Sequence, residues 1–487
     1  MKLVKDIVYK VSIDTVIGGT NKMVDAIVFD SREVKQNSLF VAQKGLVFDG
    51  HLFIDKAIEL GARVIVCEKL PKQTLQKVTY IQVENSDSAL AIIASNFYEN
   101  PSSKLKLIGI TGTNGKTTIA TLLYNLFQKA GYKTGLLSTV KILVDTIEYK
   151  ATHTTPNSVL INKYLNEMVE MGVDFCFMEV SSHGIHQKRT EGLQFSGGVF
   201  TNLTHDHLDY HKTFKEYRDV KKSFFDALPK SAFALVNIDD KNGAVMLQNT
   251  IAKKQSYALK TMADFKAKIL ENQFSGLLLT INNNEVWTKL TGGFNAYNLL
   301  AVYGVSNILG LETIESLTHI SELESVSGRF QHFISKGGVT AVIDYAHTPD
   351  ALKNVLETIN DIRTGNEQII TVVGCGGDRD KAKRPVMGRI ASQLSTQVIF
   401  TSDNPRSENP QTIIEEIEAG VDSQNFKKTV SILDRAQAIK TATKFAVKGD
   451  IILIAGKGHE TYQEVKGKRS HFDDYEKITE LLTVIES

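Results

Sequence analysis

Residues 105–127 read LKLIGITGTNGKTTIATLLYNLF. Leu105 to Ile110 is a short apolar run of the kind that forms a buried strand. Residues 111–118, Thr-Gly-Thr-Asn-Gly-Lys-Thr-Thr, break it with two glycines, and the apolar residues that follow recur at helical spacing. Strand, glycine turn and amphipathic helix in that order open a parallel α/β sheet. The turn itself suits phosphate. Glycines let backbone N–H groups approach an anion, the helix N-terminus favours its charge, Lys116 reaches terminal phosphates and Thr117 can ligate Mg²⁺. Candidate ATP-binding residues are therefore Gly112, Thr113, Asn114, Gly115, Lys116, Thr117 and Thr118. The strict G-x-x-x-x-G-K-[ST] pattern departs at one position, where Ile110 replaces its first glycine. The alternative is a chance glycine–lysine turn.

Working outward, Glu179 ends the strand-like run DFCFMEV, and GGVFTNL runs into a dense polar stretch, THDHLDYH at 204–211. Both fall at strand ends, where they would meet the phosphate loop. A His/Asp cluster could serve zinc. The lack of thiolates and the neighbouring phosphate loop favour Mg²⁺ held by few protein groups. Taken alone, the stretch could equally be a polar loop.

The C-terminal third alternates strand and helix: VTAVIDY then ALKNVLETIN, QIITVVG then MGRIASQL, QVIFTS then TIIEEIEAG, DIILIAG then DYEKITELL. That pattern predicts a doubly wound, Rossmann-like sheet with ligands outside the carboxyl ends of its strands. Residues before about 103 mix short strands (DAIVFD, SLFVAQ, RVIVCE) with helical patterns and carry no catalytic signature, which suits a substrate-gripping domain. Boundaries are expected at Asn100–Ser103 and Ser325–Gly328, where polar loops separate regular patterns. The expected domains are 1–103, 104–330 and 331–487.

The bulk properties agree with such a chain. At 487 residues it should hold about three domains. Hydrophobic residues make up 42% and charged residues 23%, so it should fold as a globular protein. Its 56 basic and 55 acidic side chains leave a net charge of +1, too little to draw it to nucleic acid or an anionic membrane. Neither a signal peptide nor an apolar run of membrane-spanning length is evident, so the expected address is cytoplasmic. Cys67, Cys176 and Cys375 form no CxxC pair, and Cys67 and Cys176 sit in strand-like apolar runs as buried hydrophobes.

GITGTNGKTT, then HTTP at 153–156, EVSSHG, NLTHDHLDYH, GGFNAYN, SGRFQ, DYAHTP, GCGGDRDKAKRP, SDNPRSENP and GKGHETYQ together resemble the Mur ligase family, in order and across nearly the whole chain. The resemblance implies three domains with a central P-loop-type parallel sheet, ATP and Mg²⁺ as cofactors, and an acid–amino-acid ligase. By that resemblance Lys116, Lys221 and His207 are catalytic, and Thr117, Glu179, His207 and Lys221 surround the metal. Lys221, in YRDVKKSFF, matches a lysine carbamylated in the family; an ammonium beside Mg²⁺ would repel it, whereas a carbamate supplies an anionic oxygen. A solvated basic helix face is the alternative. Asn295, Asn298, Arg329, Asp344 and His347 match nucleotide-site residues, although the two asparagines could instead cap the helix that follows. Ser31, Thr154, Thr155, Ser181, Gln187 and Arg189 match residues gripping a UDP-sugar peptide.

Arg379, Asp403, Asn404, Arg406, Gly456 and Glu460 match the amino-acid site of the branch that adds diaminopimelate. A guanidinium can take a carboxylate in two parallel hydrogen bonds, and a glutamate can accept from an ammonium; lysine lacks the distal carboxylate. For Arg406 the alternative is a surface arginine capping the helix after Pro410. The implied partners are UDP-N-acetylmuramoyl-L-alanyl-D-glutamate and meso-2,6-diaminopimelate, with a monomer expected, no nucleic acid and no membrane. The implied reaction makes an acyl phosphate from the D-glutamate side chain and ATP, which the amine then attacks; closure of the last domain would keep water out. Competing readings are addition of L-lysine, a folylpolyglutamate synthase, or a nucleotide switch without acceptor chemistry. The FDSR run within a full first domain argues against the folate enzyme.

Overall fold

The computed structural model describes residues 1–45 and 48–485. Three main sheets appear among the described residues, of five, eleven and six strands, each a mixed sheet with a parallel core. The strand Lys106–Thr111 lies inside the eleven-stranded sheet, parallel to Phe175–Glu179 on one side and Gly197–Phe200 on the other. Its side chains alternate faces, as a pleated strand requires. Ile108 and Ile110 enter one core with Ile119, Leu122 and Phe127 of helix Lys116–Lys129 and with Leu299 and Val302 of helix Gly293–Ile308. Leu107 enters the opposite core with Ile161 and Leu165 of helix Ser158–Glu170 and with Phe224 and Phe225 of helix Phe214–Asp226. Burial on both faces is why the strand reads as an unbroken apolar run rather than an alternating one. Each such side chain contributes about 1.5–3 kcal/mol.

The six-stranded sheet puts Thr340–Asp344, Ile451–Ala455, Ile369–Val373 and Gln397–Phe400 side by side and parallel. Two of its helices begin where the sequence offers a side-chain cap and a proline. Thr348 accepts from the Ala351 N–H with Pro349 in the first turn, and Asn409 accepts from the Gln411 N–H with Pro410 following. The N-terminal sheet holds Ala26–Val28, Ser38–Ala42, Val64–Cys67 and Thr79–Val83 in parallel, with Ile13–Ile17 antiparallel at its edge. The strands and helices expected from sequence are all present. Unforeseen are the antiparallel margins: Lys141–Val144 with Ile147–Lys150, the arm Phe265–Gln273, Gly276–Ile281 and Asn284–Thr288, and the hairpin Tyr462–Val465 with Lys468–His471. All three cysteines are free and buried. Among the described residues no helix is long and apolar enough to cross a membrane.

Candidate active site

Because the strands Phe175–Glu179, Lys106–Thr111, Gly197–Phe200 and Phe233–Asn237 are neighbours with one polarity, their carboxyl ends deliver Glu179, the glycine turn, Asn202 and Asn237 to one rim. The turn is tightly held. The Thr113 N–H donates to the Asn202 carbonyl at 2.8 Å and the Asn114 N–H to Asn202 Oδ1 at 3.0 Å. Gly112 has φ +150°, and a Cβ there would stand 1.9 Å from Thr201 Oγ1; at Gly115, φ +89°, it would stand 2.7 Å from Asn298 Oδ1. Only glycine permits this approach.

Lys116 curls over the turn, its Nζ donating to the carbonyls of Gly112 at 2.9 Å and Thr113 at 2.7 Å. Lys221 Nζ donates to the same Gly112 carbonyl at 3.0 Å and lies 4.9 Å from the Tyr217 ring centre. Burial lowers the pKa of both amines, and for Lys221 the Lys116 charge lowers it further. Lys222, its neighbour, turns away and pairs with Asp226 at 2.7 Å. The solvated-face reading therefore fails for Lys221, which is 1% exposed.

Glu179 is fully buried, and Thr139 binds it twice, through its N–H at 2.7 Å and its hydroxyl at 3.2 Å. Thr117 Oγ1 accepts from Arg329 Nη2 at 3.2 Å. His207 has a left-handed backbone and sits in a ring cluster with His183, Tyr210, His211 and Tyr217. Burial pushes the His211 pKa down to about 4, so the ring is neutral at pH 7. Among the described residues no group of three or more His, Cys, Asp or Glu side chains is disposed to cage a metal ion. One hydroxyl, one carboxylate and one imidazole around a phosphate turn fit a small hard cation that keeps several waters, as Mg²⁺ does.

Asn295 and Asn298 are not caps. Helix Gly293–Ile308 starts two residues before Asn295 with Gly292 at its cap; Asn295 Nδ2 donates to the Thr291 carbonyl, and Asn298 Nδ2 to Asn295 Oδ1. Asn298 is thereby pressed against Gly115.

On the six-stranded sheet, the loops after four adjacent parallel strands carry DYAHTP, GKGHE, GCGGDRD and SDNPR. Asp344 is buried, accepts from the Phe330 N–H at 2.6 Å, and has its pKa raised by desolvation to about 6 against the pull of Arg329. Burial pushes His347 down to about 4. Arg329 lies 4.4 Å over the Tyr345 ring, so one guanidinium joins the helix after the phosphate turn to the loop after Thr340–Asp344. Arg406 has φ +50° and its Nη1 donates to the Gly377 carbonyl at 2.6 Å, tying SDNPR to GCGGDRD; it is not a free surface arginine. Asn404 Nδ2 donates to Glu460 Oε2 at 2.7 Å.

One cavity of about 800 Å³ lies between the two rims. Its lining joins Thr113 to Thr118, Thr154, Glu179, Ser181, His207, Lys221, Asn298, Arg329, Asp344 and His347 with Arg379, Asp403, Asn404, Arg406, Gly456 and Glu460. The remaining expected residues do not line it. Gly112 lies within the turn itself, and Asn295 braces Asn298 from the same helix. Thr155, Gln187 and Arg189 form a support layer: Arg189 Nη1 donates to the Thr155 carbonyl at 2.6 Å, its Nε and Nη2 donate to Gln187 Oε1, and the Thr155 hydroxyl donates to the Glu179 carbonyl at 2.8 Å. Ser31 lies on the short turn Ser31–Glu33 of the N-terminal sheet.

Sequence reasoning missed several lining residues. Asn272 comes from the unforeseen antiparallel arm, Tyr297 from the helix after it, and Asp350, Asn354 and Thr358 from one face of helix Pro349–Ile362. The i, i+4, i+8 polar spacing of those last three was readable as a face.

Three family models match in order: Mur ligase family, catalytic domain, over residues 24–98; Mur ligase middle domain over 110–306; and Mur ligase, glutamate ligase domain, over 328–458. The chain belongs to the Mur ligase family. Within the Mur ligases, it is 55% identical over 483 residues to the UDP-N-acetylmuramoyl-L-alanyl-D-glutamate--2,6-diaminopimelate ligase of Cytophaga hutchinsonii, covering 99% of each chain. It is 53% identical to the Phocaeicola vulgatus ligase of the same name, again over 99% of each. A solved Mur ligase structure of that name superposes with a TM-score of 0.70 at 29% identity, covering 100% of this chain and 99% of the other.

Proposed function

We propose that this chain joins meso-2,6-diaminopimelate to the D-glutamate side-chain carboxylate of UDP-N-acetylmuramoyl-L-alanyl-D-glutamate at the expense of ATP, a step in cytoplasmic peptidoglycan precursor synthesis. The observation that carries this reading is the single cavity in which the glycine turn and the DNPR and GKGHE residues face one another. Relatives of that name, at 55% and 53% identity over nearly full length, support it.

A carboxylate oxygen of the D-glutamate attacks the γ-phosphorus and ADP leaves. The amine of the incoming amino acid then attacks the acyl carbon, loses a proton, and phosphate leaves. The protein's work is alignment and charge neutralisation. The glycine turn and Lys116 hold the triphosphate. Asn298 keeps the turn in shape, and Arg329 with Asp344 and His347 fixes the nucleotide from the second rim. Thr117, Glu179 and His207 would hold Mg²⁺, with Lys221 as its carbamate adding a negative oxygen. Bound there, the ion neutralises charge on the phosphate oxygens. A lysine kept neutral by burial is the nucleophilic form that adds carbon dioxide, so the depressed Lys221 pKa suits that modification. Thr154 and Ser181 meet the acceptor peptide, Thr155, Gln187 and Arg189 support them, and Ser31 meets the UDP end. Arg406 and Arg379 face the distal carboxylate, while Asp403, Asn404, Gly456 and Glu460 surround the distal ammonium.

The test is phosphate release with ATP and the UDP-dipeptide across a panel of amino acids. Release should depend on diaminopimelate; release with no amino-acid dependence would make the chain a nucleotidase or switch, and dependence on L-lysine would move the specificity.

A further inference from the structure

We propose that Lys457 is a positioning residue of the amino-acid pocket, fixing the Glu460 carboxylate, together with the Asn404 amide that braces it, in the orientation that receives the incoming ammonium. This rests on the assignment of that pocket to diaminopimelate.

Lys457 follows the strand Ile451–Ala455, between Gly456 and Gly458, and its side chain is fully buried. Its Nζ lies 3.2 Å from Glu460 Oε2 and 3.3 Å from Asn404 Oδ1. Asn404 closes the triangle through Nδ2 on the same Glu460 oxygen at 2.7 Å, and its Oδ1 also accepts from the Glu464 N–H at 2.9 Å. The Asn404 amide thus has its two ends fixed by opposite partners. The loop packs closely on both sides: a Cβ at Gly456 would stand 2.7 Å from Asp403 Oδ2 and one at Gly458 2.7 Å from the Gly328 carbonyl, so only glycine fits at either position.

The charges explain why a lysine is needed. Desolvation and the neighbouring Asp403 carboxylate both raise the Glu460 pKa, and Lys457 opposes them. Tyr345, Tyr462, Arg469 and the buried Arg435 also face this group. Two carboxylates meeting one ligand ammonium would repel each other; a buried ammonium beside Glu460, outside the cavity lining, favours its ionised form and holds it toward the ligand. A buried carboxylate stripped of its partner would protonate or rotate.

The experiment uses the full-length enzyme with ATP, the UDP-dipeptide and meso-diaminopimelate. Lys457→Met should raise KM for diaminopimelate at least tenfold, leave both other KM values within twofold, and move the acid limb of the diaminopimelate KM profile to higher pH. Lys457→Gln, which keeps a hydrogen-bond donor, should fall between. In a double-mutant cycle, Lys457→Met with Glu460→Gln should be no worse than the poorer single variant, because one acts through the other. An unchanged diaminopimelate KM, an unshifted pH profile, additive losses, or a common rise in all three KM values would overturn the proposal. Failure of both Lys457 variants to fold while Glu460→Gln folds normally would overturn it too, making the lysine a structural ion-pair residue. A wild type that ignores diaminopimelate would instead sink the function proposed above.

Discussion

Lys221 and Lys222 are adjacent in YRDVKKSFF yet meet opposite environments, one under the phosphate turn and the other paired with Asp226 on the helix flank. Composition and spacing could not tell them apart, since a helix turns by about 100° per residue and either could face inward. The family resemblance singled out Lys221, and burial gives the physical reason. Lys221→Ala should lose activity by roughly 10²-fold or more, since on the proposed mechanism it removes the carbamate charge held beside the reacting groups. A short-chain carboxylic acid able to occupy the space should restore part of it. Intact-mass analysis and initial rates with and without the acid decide the matter; near-normal rates in the variant would remove Lys221 from the mechanism. Glu179 was legible for a simpler reason, as an acidic residue closing an apolar strand. Its double hydrogen bond to Thr139 was not, because Thr139 lies 40 residues away on a neighbouring strand end.

At the scale of elements, the parallel strands and their helices were readable because each carries a continuous apolar run or a helical stripe, with the polar motifs confined to the turns after them. The antiparallel arm at 265–288 was not, for its sequence alternates weakly and turns on Asn282 and Asn283 rather than on a glycine. A loop-to-loop tie was equally hidden. Glu408, in SDNPRSENP, accepts from the Asp378 N–H of GCGGDRD at 2.6 Å and pairs with Arg384 at 2.9 Å, so one carboxylate holds the two arginine-bearing loops together. The hydrogen bonds from Arg384 lower its pKa from 4.5 to about 2. A depressed carboxylate contributes stability that is complete above its unfolded value and disappears as pH falls through its folded value. Glu408→Gln should therefore melt below the wild type at pH 6, the gap should shrink below pH 4.5, and it should close near pH 2. Thermal melts of both proteins across that range check it, and a gap independent of pH would assign the loss to packing rather than charge.

For the whole molecule, the eleven- and six-stranded sheets bring their loops to one shared cavity, while the N-terminal sheet, with Ser31, stands outside its lining. The order of motifs made this architecture readable, whereas the contacts between rims were not, since Arg329 to Thr117 and Asn114 to Asp350 join residues more than 200 positions apart. Separation predicts separable defects. Lys116→Ala should abolish ligation while leaving UDP-dipeptide binding measurable by calorimetry, because the residues proposed to hold that substrate, Ser31 and the Thr154–Arg189 layer, lie on other elements. Loss of both together would indicate misfolding.

Amino-acid choice should be the most separable property, because the residues proposed to make it all lie beyond the six-stranded sheet. The Arg406 guanidinium is already held by the Gly377 carbonyl, which pre-sets its direction and leaves N–H groups for a carboxylate. L-lysine would enclose that charge without supplying its partner, and sites built to pair a polar group reject analogues lacking it by roughly 10⁴-fold or more. Meso-diaminopimelate should accordingly be used far better than L-lysine. Arg406→Ala should raise KM for diaminopimelate strongly and narrow its advantage, while KM for ATP and UDP-dipeptide stays near wild type. The narrowing should be incomplete, because Arg379 lines the same cavity and Glu460 binds through the ammonium that both amino acids possess. Measurement of kcat/KM for both amino acids with each enzyme decides it. Full discrimination retained by Arg406→Ala would shift the specificity to Arg379, and a wild type preferring lysine would remove the loop from that role.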